Sequence, residues 1–557
     1  MAETLYTVLA LVPLAVCILY YQLRQYRFKK YVHIPTPLKP NLFLGHLGYM
    51  AKGFQKQGNS KIHPDYILED IWKEHGRPDF MYFDFRPVQY PLLLVTSHEI
   101  AEQLTRTTKS HPYSIRKSPT IQGEYGALVG KKSILTEEGE SWKALRKLFN
   151  AGFAPQHIVT LLPVLIDKTN IFIEKIDAIA RSGAVTELDS YCVNLTFDII
   201  CQVITNVNVH AQEEALAHDL IVNFRLLLNT YISGTGLGLA ALNPYIQFKR
   251  YYYSRRMDAA LFKIIQEKFD DIKQSRGTED KAHNKDRSVL ALALRDVENL
   301  TPDVSQLIAD QCKTFLFAGH DTTSILLQRL FYALSIDPPR LTKIREEHES
   351  LFGSEDPQTV FLAKPDETLK GLSYTSACIK EALRLWPPAA TARMTHDNFK
   401  IRTKEGDDVM VDKCVIYPMQ HLIHRDPDVY GPNANEFVPE RWTGDSDTST
   451  ATNADVSGTA TPTGRIPASA WRPFERGPRN CIGQELANLE ARVILACVMR
   501  RYDFVKVGVG EVETDRRGKP VVDESGRYKT KSELISTMSV TSKPIDKTRM
   551  IVKLRSS

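Results

Sequence analysis

Phe474-Glu475-Arg476-Gly477-Pro478-Arg479-Asn480-Cys481-Ile482-Gly483 stands near the C-terminus of this 557-residue chain. One cysteine sits in a loop of glycine, proline and arginine, and a helix-like run follows it. Such a loop presents a single thiolate to a metal from a rigid hairpin. No second cysteine or histidine stands nearby to complete a zinc site. A lone protein sulfur without protein co-ligands is the pattern of an axial haem ligand. A deprotonated sulfur beside iron needs backbone N–H donors and exclusion of water. Gly477 and Gly483 let backbone approach closely, Phe474 would shield the sulfur, and Arg479 suits a haem propionate. For an isolated cysteine, an inert core thiol beside a surface loop is the better reading; here the flanking pattern argues against it.

Basic and acidic residues nearly balance, 71 against 66, so the charge does not point to nucleic acid, and the 43% hydrophobic content is ample for a large core. Eight cysteines, Cys17, Cys192, Cys201, Cys312, Cys378, Cys414, Cys481 and Cys497, show no paired spacing. Reduced thiols in a cytosol-facing protein are therefore expected. Tyr6 to Leu23 runs 18 residues without a charge, just long enough to span a bilayer as a helix. Arg24, Arg27, Lys29 and Lys30 follow at once, whereas Glu3 is the only charge before it, which leaves the bulk of the chain cytosolic. A cleaved signal peptide fits less well: the first residues lack basic charge, and the small-residue step Ala15-Val16-Cys17 falls inside the apolar run. Pro35, Pro37 and Pro40 then stiffen a linker.

The expected organisation is an anchor with its basic flank over 1–30, a linker over 31–60 and one large domain over 61–557. Helical periodicity marks Ile166 to Ala180, Ala259 to Gln274 and Thr301 to Ser335. Strand-like runs occur at Phe80 to Phe85, Pro91 to Val95, Val409 to Ile416 and Met550 to Leu554. The reading is mainly α with small peripheral β-sheets. Thr301 and Pro302 suit the N-cap and first position of the longest helix. Within it, Ala318-Gly319-His320-Asp321-Thr322-Thr323 places glycine and hydroxyls mid-helix and predicts a kink. Residues 443–464 are low-complexity and are expected to be a disordered surface insertion. Residues 508–533 form a second polar insertion.

The spacing Phe474-x-x-Gly477-x-Arg479-x-Cys481-x-Gly483 matches the haem-binding signature of the cytochrome P-450 family of haem-thiolate monooxygenases. The chain resembles that family, and its filamentous-fungal microsomal members in particular, from the anchor to the last strands. The resemblance implies the family's fold and a haem b cofactor on Cys481. It implies that Asp321 and Thr322 relay protons for O–O cleavage beside a groove opened by the helix kink. Glu381 and Arg384, with Arg441 of Phe437-Val438-Pro439-Glu440-Arg441-Trp442, would form a buried structural charge network. Trp142, Arg146 and Arg393 would hold haem propionates, and His424-Arg425-Asp426-Pro427 matches a further family run. The departure is the insertion between Trp442 and Trp471, which touches no motif.

No flavin or nicotinamide domain is legible, so the resemblance implies NADPH-cytochrome P-450 reductase as electron donor, with cytochrome b5 as an optional second one. Gly234-Thr235-Gly236-Leu237-Gly238 lacks the nucleotide-loop spacing and reads as part of a lid. By resemblance the pocket draws on 112–135, 223–253, 315–322, 388–394 and the surroundings of Met538, largely apolar stretches. The implied activity is insertion of one oxygen atom from O2 into a hydrophobic substrate, a fungal terpenoid or polyketide, at the endoplasmic reticulum membrane. Fatty-acid or alkane hydroxylation is the alternative substrate class. A haem-thiolate isomerase or dehydratase, or a non-enzymatic haem sensor, are the readings from other classes; the Asp321-Thr322 pair argues against both.

Overall fold

The structure, a computed structural model, describes residues 2–29, 31, 33–232, 243–276, 286–396, 398–443, 466–537 and 539–555, the side chains of 2–12, 232 and 276 excepted. The insertion beyond Thr443, the glycine-rich loop from Gly234 to Gly238, and Met538 lie outside these residues. The chain divides into a smaller unit, Met1–Ser118 with Thr391–Ile423 and Arg476–Pro478, and a larger one holding the rest.

The smaller unit begins with helix α1 (Ala2–Phe28). Leu14, Val16, Ile18 and Leu19 on it are exposed. Among the described residues no single helix is long and apolar enough to cross a membrane. The first part of the Tyr6-to-Leu23 stretch falls where side chains are not described. Arg27, expected as part of a solvated basic flank, is instead buried: its Nη1 lies 2.7 Å from Asp84 Oδ2, and Nη2 donates to Phe43 O and Arg86 O. A buried arginine needs this full set of acceptors because an unmatched charge is costly there.

Strands β1 (Phe80–Phe83), β2 (Leu92–Val95), β3 (Arg393–Met394) and β4 (Val415–Pro418) form one sheet in the order β1-β2-β4-β3. The β2–β4 pair is parallel, Leu92 opposite Val415, and the other two pairs are antiparallel. Leu93, Val95 and Ile416 bury one face against Ile100, Leu104 and Ile115. The single strand expected over 409–416 is two: Asp408–Met410 pairs with Lys400–Arg402, and Lys413, at φ +52°, turns the chain before β4. A left-handed residue cannot continue a ladder, which is why the apolar run splits.

The larger unit is helical: α2 (Gly139–Asn150), α3 (Leu162–Ser182), α4 (Leu188–Thr205), α5 (Pro244–Arg276), α6 (Pro302–Ser335), α7 (Ser373–Leu385) and α8 (Gln484–Val498), with shorter helices between. Strands β5 (Tyr502–Lys506) and β6 (Arg549–Leu554) pair antiparallel, and Thr186–Glu187 adds to β6. The fold class is thus mainly α with small sheets. Helix α6 starts as the sequence requires: the Thr301 hydroxyl accepts from Val304 N at 3.3 Å and Pro302 occupies the first turn. It is buried over 308–316 and 323–334 and packs along α4. The helix is continuous through Ala318 to Thr323. Gly319 serves close packing, since a Cβ there would come within 2.6 Å of Ile200 Cγ1 on α4. The 508–533 insertion is an ordered meander with turns at Gly518 and Gly526, and Tyr528 N donates to Ile336 O just past α6.

Helix α7 carries the charge network. Arg384 donates bidentately to Glu381, Nε to Oε2 at 2.8 Å and Nη2 to Oε1 at 2.7 Å, with both side chains fully buried. Its remaining donors reach His424 O, Ala434 O and Glu436 O at 2.6, 2.5 and 2.8 Å. Glu381 also accepts from Val438 N, Arg441 Nε and Trp442 Nε1. Trp386 and Pro387 end the helix, as a proline following the last turn demands. Replacing Glu381 with alanine leaves two guanidinium groups facing a cavity. The expected cost is about 3–5 kcal/mol, seen as a collapse in yield of folded, haem-loaded protein and a lowered unfolding midpoint. A midpoint equal to wild type would show the network to be dispensable.

Candidate active site

The cysteine loop is held from behind by a chain of hydrogen bonds that begins at the α7 network. His424 Nδ1 lies 3.0 Å from Arg384 O, and Arg472 N donates to His424 Nε2 at 3.1 Å. A carbonyl must accept and an amide must donate, so His424 carries its proton on Nδ1. Burial pushes its proton affinity well below the usual histidine range, which keeps it in this neutral form. Arg472, itself buried, binds Glu475 through Nε and Nη2 at 2.9 and 2.8 Å. Glu475 takes φ +57° at the turn, and Cys481 N then donates to Phe474 O at 2.9 Å, closing the loop. Gly477, grouped with the smaller unit, has φ +76°, and a Cβ there would collide with the carbonyl oxygen of Thr105. Gly483, by contrast, has an ordinary φ of −88° as the N-cap of α8.

Cys481 is exposed, whereas every other cysteine except Cys17 is buried, and none is joined in a disulfide. Arg146 on α2 grips the residue before it, donating to Asn480 O at 2.7 Å and Asn480 Oδ1 at 2.9 Å. Burial lowers the Arg146 guanidinium from its usual range, and the sulfur of Cys481 opposes that shift. Arg479 pairs with Glu138, donates to Glu137 O at 3.0 Å and lies 4.9 Å over the Trp142 ring. The structure therefore brings Trp142, Arg146, Arg479 and Phe474 around the Cys481 loop within the larger unit. Arg393 belongs to the smaller unit, buried on β3 and donating to Ile115 O at 3.0 Å. The ion pair with Glu138 gives Arg479 a protein counter-ion that its motif does not reveal.

On α6, Phe317, Gly319 and Thr322 are half-buried and Ala318 is exposed, in the middle of an otherwise buried helix. Thr322 Oγ1 donates back to Ala318 O at 2.8 Å, and Thr196 Oγ1 donates to His320 O at 2.5 Å. The Thr322 hydroxyl thus meets a carbonyl at the exposed point of the helix, and the Thr196 hydroxyl meets one in the core. Two buried carboxyls flank Thr322 and Thr323 and are tuned in opposite directions. Burial works to raise the Asp321 carboxyl, but Lys543 at 2.7 Å, His320 and the Thr541 hydroxyl together bring it below its usual value. Glu490 on α8 is pushed up to about 8 by burial, only partly offset by a hydrogen bond from Thr323. Its Oε2 has no hydrogen-bond partner among the described residues.

Sequence reading missed Lys543, Thr541 and Glu490. Glu490 had a signal: it falls on the apolar stripe of Leu486, Leu489, Val493 and Cys497, where a carboxyl is out of place. Lys543 had none, because nothing local pairs it with a residue more than two hundred positions away.

Among the described residues no group of three or more His, Cys, Asp or Glu side chains could hold a metal ion. A metal at Cys481 must therefore bring its own remaining ligands. An exposed thiol in a pinned loop, and a helix bare at Ala318, fit a macrocyclic iron group that does so.

The family model for Cytochrome P450 matches residues 57–531. Cytochrome P450 monooxygenase acrF of Aspergillus aculeatus is 30% identical over 460 residues, covering 81% of this chain and 89% of its own length. Cytochrome P450 monooxygenase polC of Polytolypa hystricis is 28% identical over 486 residues, covering 84% of this chain and 81% of its own. A cytokinin hydroxylase of Arabidopsis thaliana is 28% identical over 425 residues, 74% of each chain.

Glu490 makes a prediction about pH. Between its unfolded value of 4.5 and its folded value of about 8, the native chain keeps a proton that the unfolded chain releases. Stability contributed at this site therefore falls as pH rises through that window and levels off above it. Glu490→Gln is expected to flatten this slope, gaining most over wild type near pH 8 in urea midpoints measured from pH 5 to 8.5. An unchanged slope would show that Glu490 titrates normally.

Proposed function

This chain belongs to the cytochrome P450 family, a family of monooxygenases, and on that premise we propose that it is a membrane-anchored haem-thiolate enzyme acting on a hydrophobic metabolite. The observation that carries the reading is Cys481: one exposed sulfur on a loop held by Arg146 at Asn480 and by the Arg472–Glu475 pair at its turn. We assign the haem b iron to its Sγ, the sulfur's shield to Phe474, and the propionates to Trp142, Arg146, Arg393 and Arg479. When bound, haem supplies the redox chemistry, using dioxygen and two electrons to put one oxygen atom into the substrate and the other into water. The protein's own groups do the rest. Gly477 lets the loop turn at positive φ, and Arg146 holds Asn480 so that Cys481 cannot turn away. Thr322 presents a hydroxyl at the bare point of α6, and Asp321 beside it moves protons in from the C-terminal side.

NADPH-cytochrome P-450 reductase, with cytochrome b5 as an optional second donor, is the electron source we assign. The exposed apolar residues of α1, unpartnered in the smaller unit, support a single-pass anchor in the endoplasmic reticulum with the rest cytosolic. The fungal relatives favour a terpenoid or polyketide over a fatty acid or alkane as substrate.

Reduced, carbon-monoxide-bound wild-type protein is expected to show the strongly red-shifted Soret band of a thiolate ligand. Cys481→His should bind some haem and lose that band; its retention would sink the ligand assignment. Incubated with NADPH, reductase and dioxygen, the wild type should hydroxylate members of a panel of terpenoids, aromatic polyketides and C12–C18 fatty acids. Product formed without electrons would point instead to an isomerase or dehydratase, and bound haem without oxidation of any member to a sensor.

A further inference from the structure

Helix α5 turns one polar stripe into the core: Arg250, Ser254 and Asp258, each a turn from the last and all buried. Two of the three are matched in kind. Asp258 accepts from Lys313 Nζ on α6 at 2.6 Å, and the Ser254 hydroxyl donates to Ala127 O at 2.8 Å. Arg250 keeps only 8% of its surface exposed, yet no carboxylate among the described residues pairs with it. Its Nε donates to Thr230 Oγ1 at 3.4 Å and its Nη2 to Thr230 O at 3.2 Å, while Nη1 donates to no described residue. Between Asp219 and Asp258 the chain has no acidic residue, so no neighbour in sequence supplies the counter-charge. The guanidinium rests instead on a ring, its Cζ 3.8 Å from the Tyr231 centroid. A ring face offsets only part of the cost of burying a cation. Tyr231 begins a row: Tyr125 stacks on it with centroids 5.7 Å apart, and Phe317 stacks on Tyr125 at 6.4 Å. All three rings are half-buried, and Phe317 immediately precedes Ala318, the bare point of α6. Burial raises both tyrosine hydroxyls and Arg250 opposes the shift in each, so its charge is felt along the row. Glu124 acts on Tyr125 but forms no ion pair with Arg250.

We infer that Arg250 is a specificity residue: its open guanidinium edge takes the carboxylate of an apolar acid whose skeleton lies along Tyr231, Tyr125 and Phe317 towards Ala318. This assignment rests on the monooxygenase reading and narrows its hydrophobic metabolite to a monocarboxylic acid. A carboxylate fits the planar donor edge of a guanidinium. One guanidinium also balances one negative charge, whereas a phosphate or diphosphate brings more than the stripe can match. Lys313, which meets the same stripe, is already held by Asp258 and, at 3.2 Å, by Asp310. With the acid fixed at Arg250, the end of the skeleton that reaches Ala318 is apolar, so oxygen enters at a carbon remote from the carboxylate. The cation also reverses an ordinary preference. An apolar site without one favours a methyl ester over its ionised acid, because the carboxylate gives up its hydration on burial with nothing in return.

The test uses the full-length, haem-loaded protein at neutral pH and reads affinity by equilibrium dialysis, which does not depend on turnover. The probes are abietic acid and dodecanoic acid, each set against its own methyl ester. Wild type is expected to bind at least one acid about tenfold tighter than its ester, the contribution of a charge-assisted hydrogen bond. Preference within the abietic pair marks a polycyclic terpenoid skeleton, and preference within the dodecanoic pair an acyl chain. Arg250→Gln should lose most of the acid affinity and little of the ester affinity, bringing the ratio to one or below. Arg250→Lys, which keeps the charge, should retain most of the preference. Wild type that binds neither acid, or that binds each ester as tightly as its acid, overturns the carboxylate site without calling on any variant to fold. A parallel loss of acid and ester in Arg250→Gln, with the ratio unchanged, also overturns it, since a purely structural tie between Arg250 and Thr230 gives that result. An acid bound with the expected preference but left unoxidised by NADPH, reductase and dioxygen overturns the monooxygenase reading instead and leaves the carboxylate site standing.

Discussion

The ion pair between Glu381 and Arg384 is the interaction on which the site depends. Neither side chain touches solvent, and each fills its remaining hydrogen-bonding capacity with backbone or neighbouring side chains. A buried pair of this kind adds little net stability over an apolar substitute, yet tolerates no partial loss. Its value here is geometric. Arg384 sets the carbonyl positions of His424, Ala434 and Glu436, and His424 then passes the order to Arg472. Arg472 fixes Glu475, and the turn at Glu475 delivers Phe474 and Cys481 into register. The thiol loop is thus positioned by a relay of buried polar groups that runs from helix α7 through His424 and Arg472 to the turn at Glu475.

The opposite side of the chemistry is built on a different principle. Helix α6 is buried along most of its length, yet it carries Asp321, Thr322 and Thr323 in succession beside its bare point at Ala318. Two carboxyls at similar depth end up in opposite states because only one of them has a cation. Asp321 has Lys543 and is held ionised, whereas Glu490 has only the Thr323 hydroxyl and is held neutral. Burial works to raise both, and the neighbouring charge decides the direction.

Much of this was legible in the amino-acid order. The Thr301 cap and the extent of α6 stand where spacing put them, and the Glu381-Arg384-Arg441 set is joined as the family resemblance implied. Other elements were not legible, and the reasons are specific. The run over 409–416 alternates like one strand, but left-handed Lys413 breaks it. Gly319 carries no mark of its neighbour in the sequence, yet its missing side chain admits Ile200 of a neighbouring helix. Arg27 reads as a solvated flank charge, yet Asp84 and three carbonyls enclose it. The polar insertion over 508–533 looks featureless, yet its glycine turns fold it back on the end of α6.

The sequence by itself determined the cysteine loop, the extent of α6 and the family to which the chain belongs. Each of these is written in residues within a turn or two of one another, where covalent spacing and hydrogen-bond periodicity leave few options. Tertiary structure alone decided which charge meets which: Arg479 with Glu138, Asp321 with Lys543, and Glu490 with no cation among the described residues. These partners lie hundreds of residues apart or on different helices. A carboxyl carries no mark in the sequence of the dielectric around it or of the ammonium that will reach it. Packing supplies both, and so the protonation state of the site belongs to the fold.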